Sequence, residues 1–202
     1  MKKLYHFLWY IVWFFFSLVH PCRLVGKERL PERGGLFCAN HSGLSDPVCL
    51  IVAIGPKHQI HAMAKAEFMR TPVIGWILKK VGMFSVNRGK SDVGSMKTAI
   101  KYLKSNENVL IFPEGTRIKN GVDKHGNRSV AKTGAAMLAV RTGAPIIPVY
   151  SPPKKRWFRI TKVVIGEFYY PQTESKKGTA EEYHMIADDL MKRIHALEEQ
   201  SK

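Results

Sequence analysis

Short apolar runs and amphipathic helical stretches alternate along most of the chain. Runs of three to six mainly apolar residues predict buried strands at residues 36–39, 81–86, 109–112, 145–149 and 163–165. Apolar residues at helical spacing predict helices near Asp46, Ser91 and Lys132, and a capping box of Thr179 and Glu182 predicts a final helix. Repeated strand, loop and helix units predict an α/β fold with a largely parallel sheet covered on both faces.

The N-terminal stretch differs from the rest of the chain. Two lysines precede an apolar segment over residues 4–19 that contains Trp, Tyr and three consecutive Phe residues. The segment is shorter than the ~20 residues of a membrane-spanning helix, and its aromatic residues suit the headgroup boundary. We therefore predict a membrane-interface helix over residues 1–24, followed by an α/β domain over residues 25–202. A short span and a secretory signal are the alternatives, although residues 19–22 offer no small-residue cleavage site.

The chain is strongly basic, with 32 Lys and Arg against 16 Asp and Glu and a net charge of +16. Nucleic acid, anionic lipid and an acidic carrier protein are all polyanions that such a surface attracts. No recognisable nucleic-acid module is present, so we expect no nucleic-acid partner. Basic residues on both flanks of the apolar N-terminal segment favour the cytoplasmic face of an anionic phospholipid membrane. Residues 68–81 form a second amphipathic stretch, which predicts either lipid contact or a core helix.

Cysteine and histidine usage predicts neither a disulfide framework nor a metal site. Three cysteines without a C-x-x-C pair are typical of a reducing compartment. The spacing of Cys38, His41 and Cys49 matches no familiar zinc pattern. His58 and His61 are interpreted as surface residues.

The segment Asn40–Pro47, Asn-His-Ser-Gly-Leu-Ser-Asp-Pro, places a histidine and a carboxylate five residues apart directly after an apolar run. In a continuous helix His41 and Asp46 would point about 140° apart, whereas a loop bent at Gly43 would bring them together. A carboxylate bonded to one imidazole nitrogen fixes the tautomer of a general base. The alternative is structural: Asp46 is a helix N-cap with Pro47 at the first position, and His41 is an ordinary loop histidine.

Two further loops follow apolar runs and carry phosphate-binding chemistry. Glu114, Gly115, Thr116 and Arg117 supply a bend, a hydroxyl and a guanidinium suited to bidentate phosphate contact. Arg88 lies at another predicted strand end. Taken singly, either arginine is equally consistent with a solvated or salt-bridged side chain, and Glu114 with its partner. Parallel sheets gather functional loops at the carboxyl ends of their strands, which favours one shared site.

In this order the motifs resemble those of the glycerolipid acyltransferases, in particular the bacterial 1-acylglycerol-3-phosphate acyltransferases. The resemblance covers roughly residues 25–149. It implies a mixed sheet flanked by helices, N-terminal helices that dip into the membrane, and catalysis by His41 and Asp46. It also implies a set of substrate-binding residues: Phe84, Arg88, Glu114, Gly115, Thr116, Arg117, Lys132 and Gly134.

The same resemblance implies a reaction. A fatty acyl group passes from an acyl thioester to the sn-2 hydroxyl of 1-acylglycerol 3-phosphate (lysophosphatidic acid) and gives phosphatidic acid for phospholipid biosynthesis. No cofactor is implied, because acyl-CoA or acyl-acyl-carrier-protein is the co-substrate. The protein is then peripheral or monotopic on the cytoplasmic face of the cell membrane, held by its N-terminal helix. Ile118 replaces the family's frequent serine and Asn87 its frequent aspartate, which leaves acceptor preference open.

Three alternatives stay open at this point. The first is an acyltransferase whose acceptor is glycerol 3-phosphate or another lysophospholipid. The second is a membrane-associated phosphate-ester hydrolase that uses His41. The third is a non-catalytic basic protein that binds membrane or nucleic acid, although neither the apolar N-terminus nor the ordered loop motifs suit nucleic-acid binding.

Overall fold

The computed structural model describes residues 2–86, 92–119, 122, 131–175 and 177–202. Its described part contains a seven-stranded sheet with helices on both faces. The strands are β1 Cys22–Val25, β2 Leu36–Ala39, β3 Ile60–Lys65, β4 Phe84–Val86, β5 Asn108–Ile111, β6 Ile146–Tyr150 and β7 Thr161–Ile165. The helices are α1 Lys2–Val19, α2 Asp46–Ile54, α3 Ala66–Arg70, α4 Pro72–Lys80, α5 Val93–Lys104, α6 Gly134–Thr142 and α7 Ala180–Ala196.

The strand order is β1-β7-β6-β2-β5-β3-β4, and most neighbouring pairs are parallel. The exception is β7, which runs antiparallel to β6 and parallel to β1. The sheet is therefore mixed and largely parallel. Because β1 and β7 are reversed, their first residues lie at the same end of the sheet as the last residues of β2, β5 and β6. We call this the carboxyl end of the sheet.

Two apolar layers enclose the sheet. Successive strand residues point to opposite faces, so Leu36 joins one core cluster and Phe37 the other. Helices α5, α6 and α7 cover the first face, where Leu138, Leu190 and Ile194 are fully buried. Helix α2 packs on β1 and β7 on the second face. Covering both faces explains why the central strands are almost wholly apolar rather than alternating.

Helix α1 lies against α2 through one face and exposes the other. Tyr5 and Trp9 are buried, the Trp9 indole donates to the Ile51 carbonyl at 3.0 Å, and His6 is 3.0 Å from the Pro56 carbonyl. The rest of the helix exposes large apolar side chains, namely Phe7, Tyr10, Ile11, Val12, Trp13, Phe14, Phe15 and Leu18. Among the described residues, no helix combines the length and apolar character needed to cross a membrane.

The predicted strands and the final capping box are confirmed, with some shifts at the ends. The strands β1 and β3 were missed, because β1 is short and β3 has the weak pattern Ile-His-Ala-Met-Ala-Lys. The stretch 68–81 is broken at Thr71, whose extended backbone is favoured before Pro72. Phe68, Val73 and Trp76 are exposed, so this stretch is not a core helix.

Three further expectations differ from the structure or lie outside it. Interpreting His61 as a surface residue was wrong: its ring is buried, lies 2.8 Å from both the Gly82 carbonyl and a Glu107 carboxylate oxygen, and stacks on Tyr102. The N-cap of α5 is Asp92, which accepts from the Ser95 N–H, while Ser91 lies outside the described residues. Strand β1 contains the proposed division after residue 24, and the division itself stays a prediction.

Candidate active site

His41 and Asp46 meet in a tight loop between β2 and α2. The His41 Nδ1–H donates to Asp46 Oδ2 at 2.9 Å, and the N–H groups of Ser42 and Gly43 donate to the same oxygen at 2.7 Å. The loop therefore wraps around the carboxylate. Gly43 does not have a positive φ, so these bonds, rather than glycine's freedom, form the bend. The expectation that Asp46 caps its helix was wrong, because Ser45 is the N-cap and the Asp46 carboxylate faces back into the loop.

A buried lysine completes the surroundings of Asp46. The Lys155 ammonium pairs with Asp46 Oδ1 and also donates to the Pro152 carbonyl at 2.9 Å. The Lys155 side chain is only 5% exposed and that of Asp46 is fully buried. Burial acts to raise the pKa of Asp46, but the His41 bond and the Lys155 charge outweigh it and hold that pKa below its ordinary value. Asp46 is therefore ionised, and His41 keeps its proton on Nδ1 with Nε2 free to act as a base.

The histidine ring and its backbone are held by the loop that follows β5. The ring stacks on Phe112 with centroids 4.1 Å apart. The His41 N–H donates to Glu114 Oε2 at 2.8 Å, and the His41 carbonyl accepts the Ile118 N–H at 2.7 Å. Burial raises the pKa of Glu114 to about 7, and the Asp46 charge acts in the same direction. Glu114 thus contacts the histidine loop in this structure; its part in binding substrate stays a prediction.

The structure brings five other predicted residues to the same loop and to the start of α6. Gly115 has a φ of +68°, a left-handed conformation that favours glycine. A Cβ atom at Gly115 would lie 2.7 Å from Lys132 Cδ, so the lysine side chain passes directly over this glycine. The Lys132 N–H donates to the Pro113 carbonyl at 2.9 Å, while Gly134 opens α6 beside open space. Thr116 is half-buried and Arg117 exposed.

The last two predicted residues belong to β4 and the segment after it. Arg88 lies outside the described residues. Phe84 is in the core, tilted against Tyr102 with centroids 5.8 Å apart. Its ring therefore anchors β4, and its contact with substrate stays a prediction.

Three neighbours of the dyad were missed by sequence reasoning. Phe112 was predicted as the end of a core strand, and Lys155 was not singled out at all. Asn40 was treated only as turn punctuation, yet its amide exchanges two 2.8 Å bonds with the backbone of Ser151. The one sequence signal for Asn40 was its position beside His41 at a strand exit.

A family model described as Acyltransferase matches residues 22–151. The chain belongs to this acyltransferase family. It is 36% identical over 188 residues to the 1-acyl-sn-glycerol-3-phosphate acyltransferase of Bacillus subtilis (strain 168), covering 90% of each chain. It is 30% identical to the enzyme of that name from Borreliella burgdorferi, over 62% of this chain and 49% of the other.

A solved structure shares the fold of this acyltransferase. The crystal structure of the 1-acyl-sn-glycerophosphate (LPA) acyltransferase PlsC from Thermotoga maritima superposes with a TM-score of 0.65 at 21% identity, over 99% of this chain and 98% of the other. The mixed, largely parallel sheet flanked by helices is therefore confirmed as the fold of this acyltransferase. The hydrogen-bonded His41–Asp46 pair lies at the carboxyl end of that sheet, and its catalytic role stays a prediction.

Proposed function

We propose that this acyltransferase moves a fatty acyl group from an acyl thioester to the sn-2 hydroxyl of 1-acylglycerol 3-phosphate and forms phosphatidic acid. The observation that carries the proposal is the buried His41–Asp46 pair beside the Gly115–Lys132 cluster. The first group supplies a base and the second a cation. The similarity to relatives named 1-acyl-sn-glycerol-3-phosphate acyltransferase supports this substrate.

In the proposed step, His41 Nε2 removes the proton of the acceptor hydroxyl as its oxygen attacks the thioester carbonyl carbon. The new C–O ester bond forms, the C–S bond breaks, and the imidazolium returns the proton to the leaving thiolate. Asp46 keeps the ring oriented and stabilises its cationic form. General-base assistance of this kind is worth ~10²–10⁴-fold in rate.

The acceptor phosphate is proposed to bind beside the dyad. Lys132 and the exposed Arg117 supply positive charge, while Thr116 and the first N–H groups of α6 at Gly134 supply donors. Arg88, Glu114 and Phe84 complete the proposed set. Holding the phosphate fixes the hydroxyl relative to His41, so positioning contributes alongside proton transfer.

The remaining partners follow from charge and exposure. The donor is acyl-CoA or acyl-acyl-carrier-protein, since both are anionic and the chain carries a net charge of +16. The reaction requires no cofactor, because the thioester supplies the driving force. The exposed apolar face of α1 binds the cytoplasmic face of an anionic membrane peripherally or monotopically.

The test is an acceptor screen with the full-length protein bound to phospholipid vesicles and supplied with each donor. Lysophosphatidate is expected to be acylated faster than glycerol 3-phosphate. His41→Ala and Asp46→Asn are expected to lose about 10²-fold or more in kcat. His184→Ala, an exposed histidine on α7, serves as the matched control.

Other outcomes point to the alternative functions. Full activity of the His41→Ala variant would refute the assignment of the base. Faster acylation of glycerol 3-phosphate would change the acceptor. Phosphate release without thioester consumption would identify a hydrolase instead.

A further inference from the structure

The turn between β6 and β7 exposes three large apolar side chains together. Trp157, Phe158 and Ile160 are 69%, 72% and 65% exposed. Phe158 also has a φ of +58°, which non-glycine residues rarely adopt. Single exposed apolar residues need no explanation, but a contiguous group of this size marks an interaction site. We call residues 156–160 the β6–β7 turn.

This turn touches the end of α1. The Phe158 N–H donates to the Val19 carbonyl at 2.8 Å, and Trp157 packs edge-on against His20 with centroids 6.2 Å apart. The Thr161 N–H then donates to the Pro21 carbonyl at 2.8 Å as β7 begins beside β1. The turn therefore extends the exposed apolar face of α1.

The sheet topology places this joint surface beside the dyad. Because β1 and β7 are reversed, α1 ends and the β6–β7 turn lies at the carboxyl end of the sheet. His41 follows β2 at that same end. A bilayer lying on this surface would hold the acyl chain of a lysophospholipid while its headgroup reaches the site.

Charge selects the kind of partner. Residues 152–162 contain five basic residues and no acidic one, and of the five only Lys155 is buried, against Asp46. Arginines interleaved with Trp and Phe are typical of segments that sit at an anionic membrane surface. A second copy of this chain would bring the same positive charge against it, which disfavours self-association there.

We propose that the β6–β7 turn is a second membrane-binding element, which together with α1 seats the carboxyl end of the sheet on an anionic phospholipid bilayer. Trp157, Phe158 and Ile160 enter the headgroup boundary, and Arg156 and Arg159 contact lipid phosphates. This proposal rests on the proposed function to explain why a membrane would bind here, but its test does not depend on that function.

The test is sedimentation of the full-length protein with phosphatidylglycerol–phosphatidylcholine vesicles and with phosphatidylcholine vesicles. Trp157→Ala/Phe158→Ala is expected to weaken binding about tenfold. The matched control is Phe168→Ala/Tyr170→Ala, an exposed aromatic pair near the start of β6 at the opposite end of the sheet, and it should bind as the unmodified chain does. Arg156→Gln/Arg159→Gln should remove most of the preference for the anionic vesicles.

Binding of the Trp157→Ala/Phe158→Ala protein equal to that of its control would overturn the proposal. The proposal would also be overturned if Trp157→Ala/Phe158→Ala changed the oligomeric state, measured by light scattering, and left vesicle binding unchanged. The assay needs no turnover, so a failure of the proposed reaction is distinguished from a failure of this surface.

A separate observation concerns Lys155, whose side chain is buried and pairs with Asp46 instead of facing solvent. Asp46 Oδ2 already accepts from His41, Ser42 and Gly43, and Lys155 contacts the other oxygen. A buried carboxylate that loses such a cation is left poorly compensated. The geometry points to Lys155 as a positioning residue that keeps Asp46 ionised and turned toward His41, and hence sets the catalytic tautomer of the proposed reaction.

The surroundings of Asp46 contain other titratable groups. His41 and Lys155 contact the carboxylate, Glu114 and Cys49 lie close enough to interact with its charge, and Cys22 lies near Lys155. Of these groups, Lys155 supplies positive charge to Asp46 from the segment after β6. Removing the lysine charge is therefore expected to act on the Asp46 carboxylate rather than on contacts with substrate.

Lys155→Met keeps the length of the side chain and removes its charge. We expect kcat to fall about 10- to 100-fold with little change in either KM, and the acidic limb of the pH–activity profile to move to higher pH. Lys154→Met is the matched control, because this neighbour is exposed. Lys155→Arg keeps the charge and should restore the acidic limb.

The double variant Asp46→Asn/Lys155→Met tests the route of the effect. If Lys155 acts through Asp46, the lysine substitution costs nothing further once the aspartate is gone. Ring-nitrogen NMR of His41 gives a readout without turnover: Lys155→Met should reduce the Nδ1–H tautomer. An unchanged His41 tautomer, or kinetics and a pH limb equal to those of Lys154→Met, would refute the positioning role.

Discussion

Glu114 holds His41 by its backbone rather than by its ring, because Glu114 Oε2 accepts the His41 N–H at 2.8 Å. The bond joins the loop after β5 to the loop after β2. Two motifs that are 73 residues apart in the chain thereby form one unit. The ring is left to interact with Asp46 and Phe112.

The same contact predicts a dependence of stability on pH. The pKa of Glu114 is about 7 in the folded protein against an ordinary value of 4.5. Ionising this carboxyl therefore destabilises the fold increasingly as the pH rises from about 4.5 to 7, and the penalty is absent below that range. Glu114→Gln keeps an acceptor for His41 without the charge.

We expect Glu114→Gln to raise the Tm on the order of 5 °C more at pH 8 than at pH 5. Thermal unfolding followed by circular dichroism at the two pH values measures the difference. Glu174→Gln, at an exposed position, is the control and should show no such dependence. An equal effect of Glu114→Gln at both pH values would contradict the elevated pKa.

Arg117 is expected to contribute to acceptor binding and not to donor binding. A hydrogen bond to a charged group is worth ~1.5–3 kcal/mol, so Arg117→Ala should raise the KM for lysophosphatidate about 10- to 100-fold. The KM for the thioester should stay the same. Arg141→Ala, an exposed arginine at the end of α6, controls for the loss of surface charge. Equal rises in both Michaelis constants would argue against a phosphate contact.

Gly115 and Gly143 separate backbone strain from contact with Lys132. Both have a φ of +68°, but a Cβ atom meets Lys132 only at Gly115 and meets nothing within 4 Å at Gly143. Gly143→Ala should therefore cost ~1–2 kcal/mol of stability through strain alone, with unchanged kinetics. Gly115→Ala should cost a similar amount and also raise the acceptor KM. Steady-state kinetics and denaturant unfolding of both variants decide whether Lys132 must lie over this loop.

The two hydrogen bonds of Asn40 predict that removing its amide lowers both the Tm and kcat. Asn40→Ala leaves the buried N–H and the buried carbonyl of Ser151 without their partner. Each unpaired group costs ~1–3 kcal/mol of stability, so the Tm should fall by several degrees. Asn108 is a matched control, because its amide also joins two backbones, at Gly35 and Gln59, but at the start of β5 rather than beside the dyad. Asn108→Ala should lower the Tm with kcat retained, and Asn40→Ala should lower both. Equal kcat values would limit Asn40 to a structural role.

Local signals predicted much of the fold and part of the site. The apolar runs located the central strands because burial on both faces makes them apolar throughout. His41 and Asp46 were predictable because they are near neighbours in one loop. The Lys155–Asp46 pair joins residues 109 apart, and only the register of β6 and the turn after it brings them together. Its lysine stands in a basic run that looks solvated in sequence.

The prediction for Glu114 shows a different limit. Residue type and position indicated a substrate ligand or a partner for an arginine, whereas the structure places a backbone N–H against it. Backbone donors are the same in every residue, so no sequence pattern marks the one that a carboxylate will accept. His61 was misjudged for a similar reason, because its acceptors Gly82 and Glu107 come from distant parts of the chain.

The direction of one strand decides which ends of the chain become neighbours. If β7 ran parallel to β6, its first residue would lie at the other end of the sheet, about 17 Å away for a five-residue strand. Residues 156–160 would then be separated from Val19 and from the loop of His41. Reversing this strand turns a long crossover into a short hairpin connection, so the direction of five residues decides whether the exposed apolar side chains of α1 and of the β6–β7 turn lie together.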